Sequence, residues 1–402
     1  MKLRPSVKRA MKLLRIDKLK KNQVKPINAI LDGNDTMVIA PTSYGKSLIY
    51  QIPAVIQKDA LTVVIEPLLA LIHDQVEKLQ NLGISAAYLD STQSKSDRER
   101  VMKALHRGSV QLLYLAPERI ESNILSEVEE NNHIGMVVVD ECHCVVSWGH
   151  TFRESYLTIG KYIDRLKYRP VVVALSATAL PEDRSEIMEL LSMWETTIFE
   201  VDLYRSNLRF MKRMTPSRRQ QLKELKHCLK KYRRNTAIVF CSTREHAEGV
   251  ASELKKLYPD DVMVYHSRNK RQEKEMLSGE KSIIVATSAL SMGVDVRNVD
   301  LVIHYNMPMS LADYYQMAGR AGREWQGARS ILLYNPDDYY TNRAMLRDIE
   351  DKSVKKTALA RLDDVKEFCE DKKHCMVRAL LQALGDPYDH ECRYCTNCQR
   401  GK

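Results

Sequence analysis

The chain has 402 residues, of which 44% are hydrophobic and 28% charged. At roughly 150 residues per domain this suggests two or three folded domains and excludes wholesale disorder. With 62 Lys and Arg against 52 Asp and Glu the net charge is +10, a surplus suited to a polyanionic partner. No run of eighteen apolar residues occurs, because the longest candidate, near 61–76, is broken by Glu66, His73 and Asp74. That excludes a membrane-spanning helix, and the basic N-terminus lacks the apolar core of a secretory signal. The expected location is therefore the cytoplasm (on the nucleoid, if the chain is bacterial), with its nine cysteines reduced.

In chain order, TMVIA (36–40), LTVVIE (61–66), VQLLYLA (110–116), GMVVVD (135–140) and VVVALSA (171–177) read as strands separated by helical patterns. Such alternation is the signature of α/β domains with parallel sheets. The first run leads into APTSYGKS (40–47) and an apolar helical segment. A glycine-containing loop between strand and helix directs backbone N–H groups and a helix N-terminus at phosphate oxygens. Lys46 would reach the β- and γ-phosphates and the Ser47 hydroxyl would bind Mg²⁺, although Ala40 stands where the strict pattern has glycine. GMVVVD releases Asp140-Glu141-Cys142-His143 at the strand end, where an α/β sheet places its site. Asp140 suits Mg²⁺ held through water, and Glu141 suits an attacking water that must be positioned and deprotonated.

Directly downstream, SWGHTFRESY (147–156) gathers Trp148, His150, Phe152 and Tyr156 with Arg153. The stretch is polar and contains Gly149, so it reads as a loop. Base–aromatic stacking is worth about 1–3 kcal/mol per base, and opening a base-pair step costs about 1.4 kcal/mol. Such aromatics could trap an unpaired base but not drive sustained opening without ATP.

After a Lys/Arg-rich helical stretch (216–234) the pattern restarts with NTAIVFC (235–241), VMVYHS (262–267), SIIVATS (282–288), LVIHYN (301–306) and SILLYN (330–335). A second α/β half is implied, with a junction near 203–215. Ser310 and Asp313 form an S-x-x-D helix start. Gln316, Arg320 and Arg323 follow at spacings of four and three, on one face if the helix continues through Gly319 and Gly322. Cys375, Cys392, Cys395 and Cys398, spaced C-x16-C-x2-C-x2-C, suit one tetrahedral Zn²⁺ in a closed structural site. Cys375 would begin a helix with Val377, Leu380, Leu381 and Leu384 on its apolar face. Cys369, His374 and His390 lie nearby but break the spacing.

Together PTSYGKSLIYQIPA, PLLALIHDQVEKL, APER, DECHCVVSWGHTFRESY, LSATA, IVFCSTREHA, ATSALSMGVDVRNVD and YYQMAGRAGR resemble the RecQ family of DNA helicases, within helicase superfamily two, from Gln23 to Cys398. The resemblance implies an α/β fold of two tandem RecA-like parallel-sheet domains, 1–205 and 206–340, followed by a small helical zinc-binding module, 341–402. It implies ATP between the two domains, with Mg²⁺ and Zn²⁺ as further cofactors. Its partners would be single-stranded and tailed duplex DNA, travelled 3′ to 5′. Gln23 would read adenine, and Thr42, Ser43, Gly45, Lys46, Ser47 and Asp295 would line the nucleotide. Ser47 and Asp140 would serve Mg²⁺. Arg320 and Arg323 would reach across to the phosphates. Ser176 and Thr178 of LSATA, with Trp148, His150, Phe152 and Arg153, would couple DNA to hydrolysis.

The chain also departs from the family pattern. Ser43 replaces a phosphate-loop glycine, Lys20 the usual arginine before Gln23, Ile16 an aromatic that stacks on adenine, and Ser291 a glycine. Ser147 and Thr151 differ from the usual Gln and Asp. No winged-helix or C-terminal helical accessory domain follows Cys398, so a protein partner supplying duplex-engaging elements is an expectation. Two other readings are an RNA helicase and a nucleotide-gated DNA-binding or assembly subunit.

Overall fold

A computed structural model describes residues 3–42, 44–120, 124–146, 150–266, 281–290, 296–323 and 326–399, without the side chains of 124–126 and 150–154. The chain divides into two compact units at Asp202/Leu203. Among the described residues no helix is long and apolar enough to cross a membrane.

The first unit is a seven-stranded sheet, every pair of it parallel. Its strands are Thr36–Ile39 (β1), Leu61–Ile65 (β2), Ala86–Leu89 (β3), Leu112–Leu115 (β4), Ile134–Val139 (β5), Val171–Ser176 (β6) and Thr197–Glu200 (β7), in the order β3-β4-β2-β5-β6-β1-β7. Strands β1, β2 and β4 are buried at every position. Continuous Val/Ile/Leu runs are what a sheet covered on both faces requires. Ile27, Ile30, Ile49, Ile52 and Tyr50, from helices Lys21–Leu31 and Ser47–Ile56, pack into the same core as Val38, Val64 and Val138.

The sheet's carboxyl edge is stitched by backbone bonds from Glu66 N to Leu115 O, Asp140 N to Ile65 O and Ala40 N to Ser176 O, each 3.0 Å. Register therefore places Glu66, Asp140, Ser176 and the start of the phosphate loop along one edge.

The second unit holds six parallel strands: Leu208–Met214 (β8), Thr236–Phe240 (β9), Val262–Tyr265 (β10), Ile283–Ala286 (β11), Val299–His304 (β12) and Ala328–Tyr334 (β13), ordered β10-β11-β9-β12-β13-β8. The stretch expected as a junction, 203–215, thus contains an edge strand of this sheet. The C-terminal helices Lys352–Glu370, Met376–Ala383 and Thr396–Gln399 cover that edge. Lys212 of β8, itself buried, donates through Nζ to Phe368 O at 2.6 Å and to Asp371 O. A lysine there satisfies carbonyls left open at a helix C-terminus.

Candidate active site and zinc centre

The phosphate loop leaves β1 and enters helix Ser47–Ile56 through Gly45, whose φ is +88°. Only glycine adopts that conformation freely, and a Cβ at this position would also lie 2.9 Å from the Gln23 amide nitrogen. Gln23, 2% exposed, donates to Gly45 O at 3.0 Å and Tyr44 O at 3.4 Å and accepts from Lys20 N at 2.8 Å. The residue expected to read adenine is thus fastened to the phosphate loop. Lys20 Nζ donates to Tyr44 O at 2.9 Å and lies 4.5 Å from the Tyr44 ring. Gly45→Ala combines positive-φ strain, about 1–3 kcal/mol, with that collision. Steady-state turnover at varied ATP is expected to show KM raised about tenfold or more.

Lys46 Nζ is buried and has no hydrogen-bond partner among the described residues. Its charge acts on two buried carboxyls, Asp140 and Glu66. Burial pushes Asp140 up to about 6, against the pull of Lys46 and with a further push from Glu141. Burial, then Asp140 and Glu141, hold Glu66 well above the usual carboxylate range. Three crowded acids carry more negative charge than one lysine balances, a surplus that a divalent cation bound to the carboxylates relieves, so the residues present fit Mg²⁺. Glu66 had no assigned role in the sequence, yet the signal was there: an acid ending an apolar strand, as Asp140 does.

Glu141 stands in a left-handed backbone conformation, φ 48° and ψ 44°, a strained geometry of the kind found at functional sites. Its carboxylate lies 3.4 Å from His143 Nδ1. The same ring nitrogen is 3.0 Å from Ser176 Oγ, which accepts from Thr178 N at 3.0 Å. A continuous polar path therefore joins Glu141 to Ser176 and Thr178. His143, quoted in the acidic motif but given no role, is its middle member.

Ser43, Trp148 and Asp295, and the side chains of His150, Phe152 and Arg153, lie outside the described residues. The stretch read as a loop is helical from His150, within helix His150–Arg165. Tyr156 is fully buried and belongs to the core.

In the second unit Ser310 caps helix Leu311–Ala318, accepting from Asp313 N at 3.0 Å. The helix does not continue through Gly319 and Gly322. Arg320, buried, and Arg323, half-buried, follow it in a turn, with Gly322 at φ +64°. The expected shared helix face is therefore replaced by a turn: Arg320 N and Ala321 N bond only three residues back, to Met317 O and Ala318 O at 3.1 Å, and left-handed Gly322 gives its N–H to Val299 O at 2.9 Å.

At the C-terminus Cys375, Cys392, Cys395 and Cys398 bring their sulfurs within 4.8 Å of one another. Cys392 Sγ and Cys398 Sγ are 3.9 Å apart, near the roughly 3.8 Å that tetrahedral Zn–S bonds of about 2.3 Å impose. Met376 N, Cys392 N, Cys395 N and Cys398 N each donate to one of these sulfurs at 3.3–3.5 Å, an arrangement that favours thiolates. Cys375 caps helix Met376–Ala383, with Val377, Leu380 and Leu381 buried as expected. His374 instead faces Asp371 at 3.1 Å and His390 faces Asp389 at 3.0 Å. The donor set fits a structural Zn²⁺.

Family models match in the same order: DEAD/DEAH box helicase over 20–187, helicase conserved C-terminal domain over 220–324, and RecQ zinc-binding over 336–399. The chain is 32% identical over 390 residues to the ATP-dependent DNA helicase RecQ of Bacillus subtilis, covering 95% of this chain and 65% of that one. It is 34% identical to the ATP-dependent DNA helicase hus2/rqh1 of Schizosaccharomyces pombe, covering 95% of this chain and 29% of that one. It thus spans less than two thirds of these relatives' length. Among solved structures it resembles the DUF1998 helicase MrfA bound to DNA, with TM-score 0.67, 21% identity, and coverage of 85% of this chain and 53% of that one. It also resembles the DEAD-box helicase Mss116 bound to ssRNA, with TM-score 0.70, 17% identity, and coverage of 95% and 89%. These two likenesses concern the fold alone. Three family models in one order, with two curated RecQ-type helicases matched over 95% of the sequence, establish that the chain belongs to the RecQ family of helicases.

Proposed function

We propose that the chain hydrolyses ATP to move 3′ to 5′ on single-stranded DNA and to open tailed duplex DNA. The observation that carries this reading is the Lys46 ammonium, buried without a hydrogen-bond partner among the described residues, beside Asp140 and Glu66 and next to the Gly45 turn. A buried cation without a hydrogen-bond acceptor is costly unless a ligand supplies one, and a triphosphate would.

In this reading Gln23 orients adenine, while Thr42, Ser43, Gly45 and Asp295 line the nucleotide. Lys46 draws charge from the β- and γ-phosphates. Ser47 and Asp140 hold Mg²⁺, whose chemistry is to neutralise phosphate charge. Glu141 takes the proton of the attacking water, and its contact with His143 links that event to Ser176 and Thr178. Arg320 and Arg323 supply positive charge in the hydrolytic state only, so that ATP and its products favour different states. Trp148, His150, Phe152 and Arg153 engage DNA.

The test compares ATP turnover alone, with single-stranded DNA and with single-stranded RNA, together with strand displacement from a 3′-tailed duplex. DNA-specific stimulation and displacement are expected, and Glu141→Gln should lose both while still binding ATP. Equal stimulation by RNA would favour an RNA helicase. Stimulation by DNA without displacement would leave a nucleotide-gated DNA-binding subunit.

A further inference from the structure

The turn that carries Arg320 and Arg323 is held by two residues from the start of the second unit. The Arg205 guanidinium, buried, donates to Gly319 O at 3.0 Å, to Ala321 O at 2.9 Å and to Gly322 O. Asn207 Nδ2 donates to Gly322 O at 2.8 Å and Gln326 O at 3.0 Å. These acceptors bracket Arg320 on both sides and lead into Arg323. The fit is close: a Cβ on Gly322 would stand 2.6 Å from Asn207 Nδ2. Tyr315, one helical turn before Arg320, donates its hydroxyl to Leu203 O at 2.5 Å and ties the same two segments together.

This is an unusual use of a buried arginine. Among the described residues no carboxylate pairs with Arg205. A buried guanidinium is ordinarily balanced by an acid; here backbone carbonyls take that place. A planar fork with five donors in fixed directions can hold the three carbonyls of Gly319, Ala321 and Gly322 at once, a geometry that the compact ammonium of lysine does not reproduce. The helix ends at Ala318 and Gly322 is left-handed, so the carbonyls of Gly319, Ala321 and Gly322 lie past the helical ladder and need donors from elsewhere. Arg205 and Asn207 supply them and fix the path of the two arginines at the same time.

We propose that Arg205 and Asn207 are positioning residues that set the arginine turn for hydrolysis. The proposal rests on the role given above to Arg320 and Arg323. Displacing a catalytic group by about 1 Å costs about a hundredfold in rate. Arg205→Gln is therefore expected to lower kcat for DNA-stimulated ATP turnover about 30- to 100-fold, with KM for ATP changed less than threefold. Arg205→Lys, which keeps the charge but not the fork, should recover only part of the loss.

The deciding measurement is a double-mutant cycle in kcat, using the full chain with zinc content and melting temperature checked for each variant. If the clamp acts through the arginines, Arg205→Gln added to Arg323→Ala costs no more than Arg323→Ala alone. Multiplicative losses, or a kcat for Arg205→Gln within threefold of the unsubstituted chain, would overturn the proposal. Should Arg205→Gln fail to fold, Asn207→Ser in the same cycle decides by the same criterion. If Arg320→Ala and Arg323→Ala both turn over normally, the arginine role falls and the clamp with it. If they abolish turnover while Arg205→Gln and Asn207→Ser do not reduce it, the clamp alone falls.

Discussion

Lys46→Ala is expected to lower DNA-stimulated ATP turnover about 10²- to 10³-fold while leaving the fold intact. The two effects separate because Lys46 makes no hydrogen bond among the described residues that folding would need. Its role in the free protein is electrostatic, drawing down the titration of Asp140 and Glu66. Both carboxyls already stand above their ordinary range, so losing the lysine pushes them further toward the protonated form rather than forcing the sheet edge apart. The stability change should stay within about 1 kcal/mol, as for substitutions that leave no unsatisfied group behind. With ATP present the variant's phosphate loop offers the β- and γ-phosphates no ammonium, so the charge developing on them loses that donor. Steady-state turnover and thermal unfolding of the variant, side by side, check both halves. Turnover within threefold of the unsubstituted chain would show that ATP reacts elsewhere.

The charge logic around Lys46 also shows how far sequence reading reached. Asp140 and Glu141 were legible because two acids followed an apolar strand in a chain with a phosphate loop. Glu66 ends β2 in the same way, but it lacks a second acid beside it and precedes a proline, so it looked like a break in an apolar run. Register decides the matter: Asp140 N bonds to Ile65 O, and the two strand ends are neighbours. Pairing of this kind is a long-range property that a single sequence does not display.

The strands divide on the same principle. The interior strands of both sheets, buried on each face, stood out as continuous apolar runs. Those missed were β3, β7 and β8, all at sheet edges. β3 is only partly buried, β7 is largely exposed, and β8 alternates buried with half-buried positions through LRFMKRM. β10, also an edge, was visible because VMVY remains apolar. The arginine turn shows the converse: residue spacing suggested one helical face, but two glycines gave the chain a way out of the helix that spacing alone could not exclude.

Replacing Cys395 by serine is the second large effect. Cys395 is fully buried, accepts from Met376 N and Cys398 N, and its own N–H donates to Cys392 Sγ. The chain is expected to carry one zinc ion, and Cys395→Ser to carry almost none, measured by elemental analysis after dialysis. Zinc binding by such cysteine sets is worth about 10–16 kcal/mol near neutral pH, comparable with the whole stability of a domain, about 5–15 kcal/mol. Loss of the ion therefore reaches beyond the cysteines. The segment they close supplies Thr396, whose hydroxyl accepts from Lys212 N at 3.0 Å, and Asn397, which donates to Asp371 O and His374 O at 3.1 and 2.8 Å. Releasing it uncovers the edge strand β8 and the buried Lys212. Unfolding of the second unit should fall by more than about 10 °C, since each kcal/mol shifts a 150–250-residue unit about 2–4 °C. ATP binding by the first unit, followed with a fluorescent analogue, should persist, because Gln23, Gly45, Lys46 and Asp140 share none of these contacts. Full stability of the serine variant without zinc would mean that packing against β8, and not the ion, holds this end of the chain.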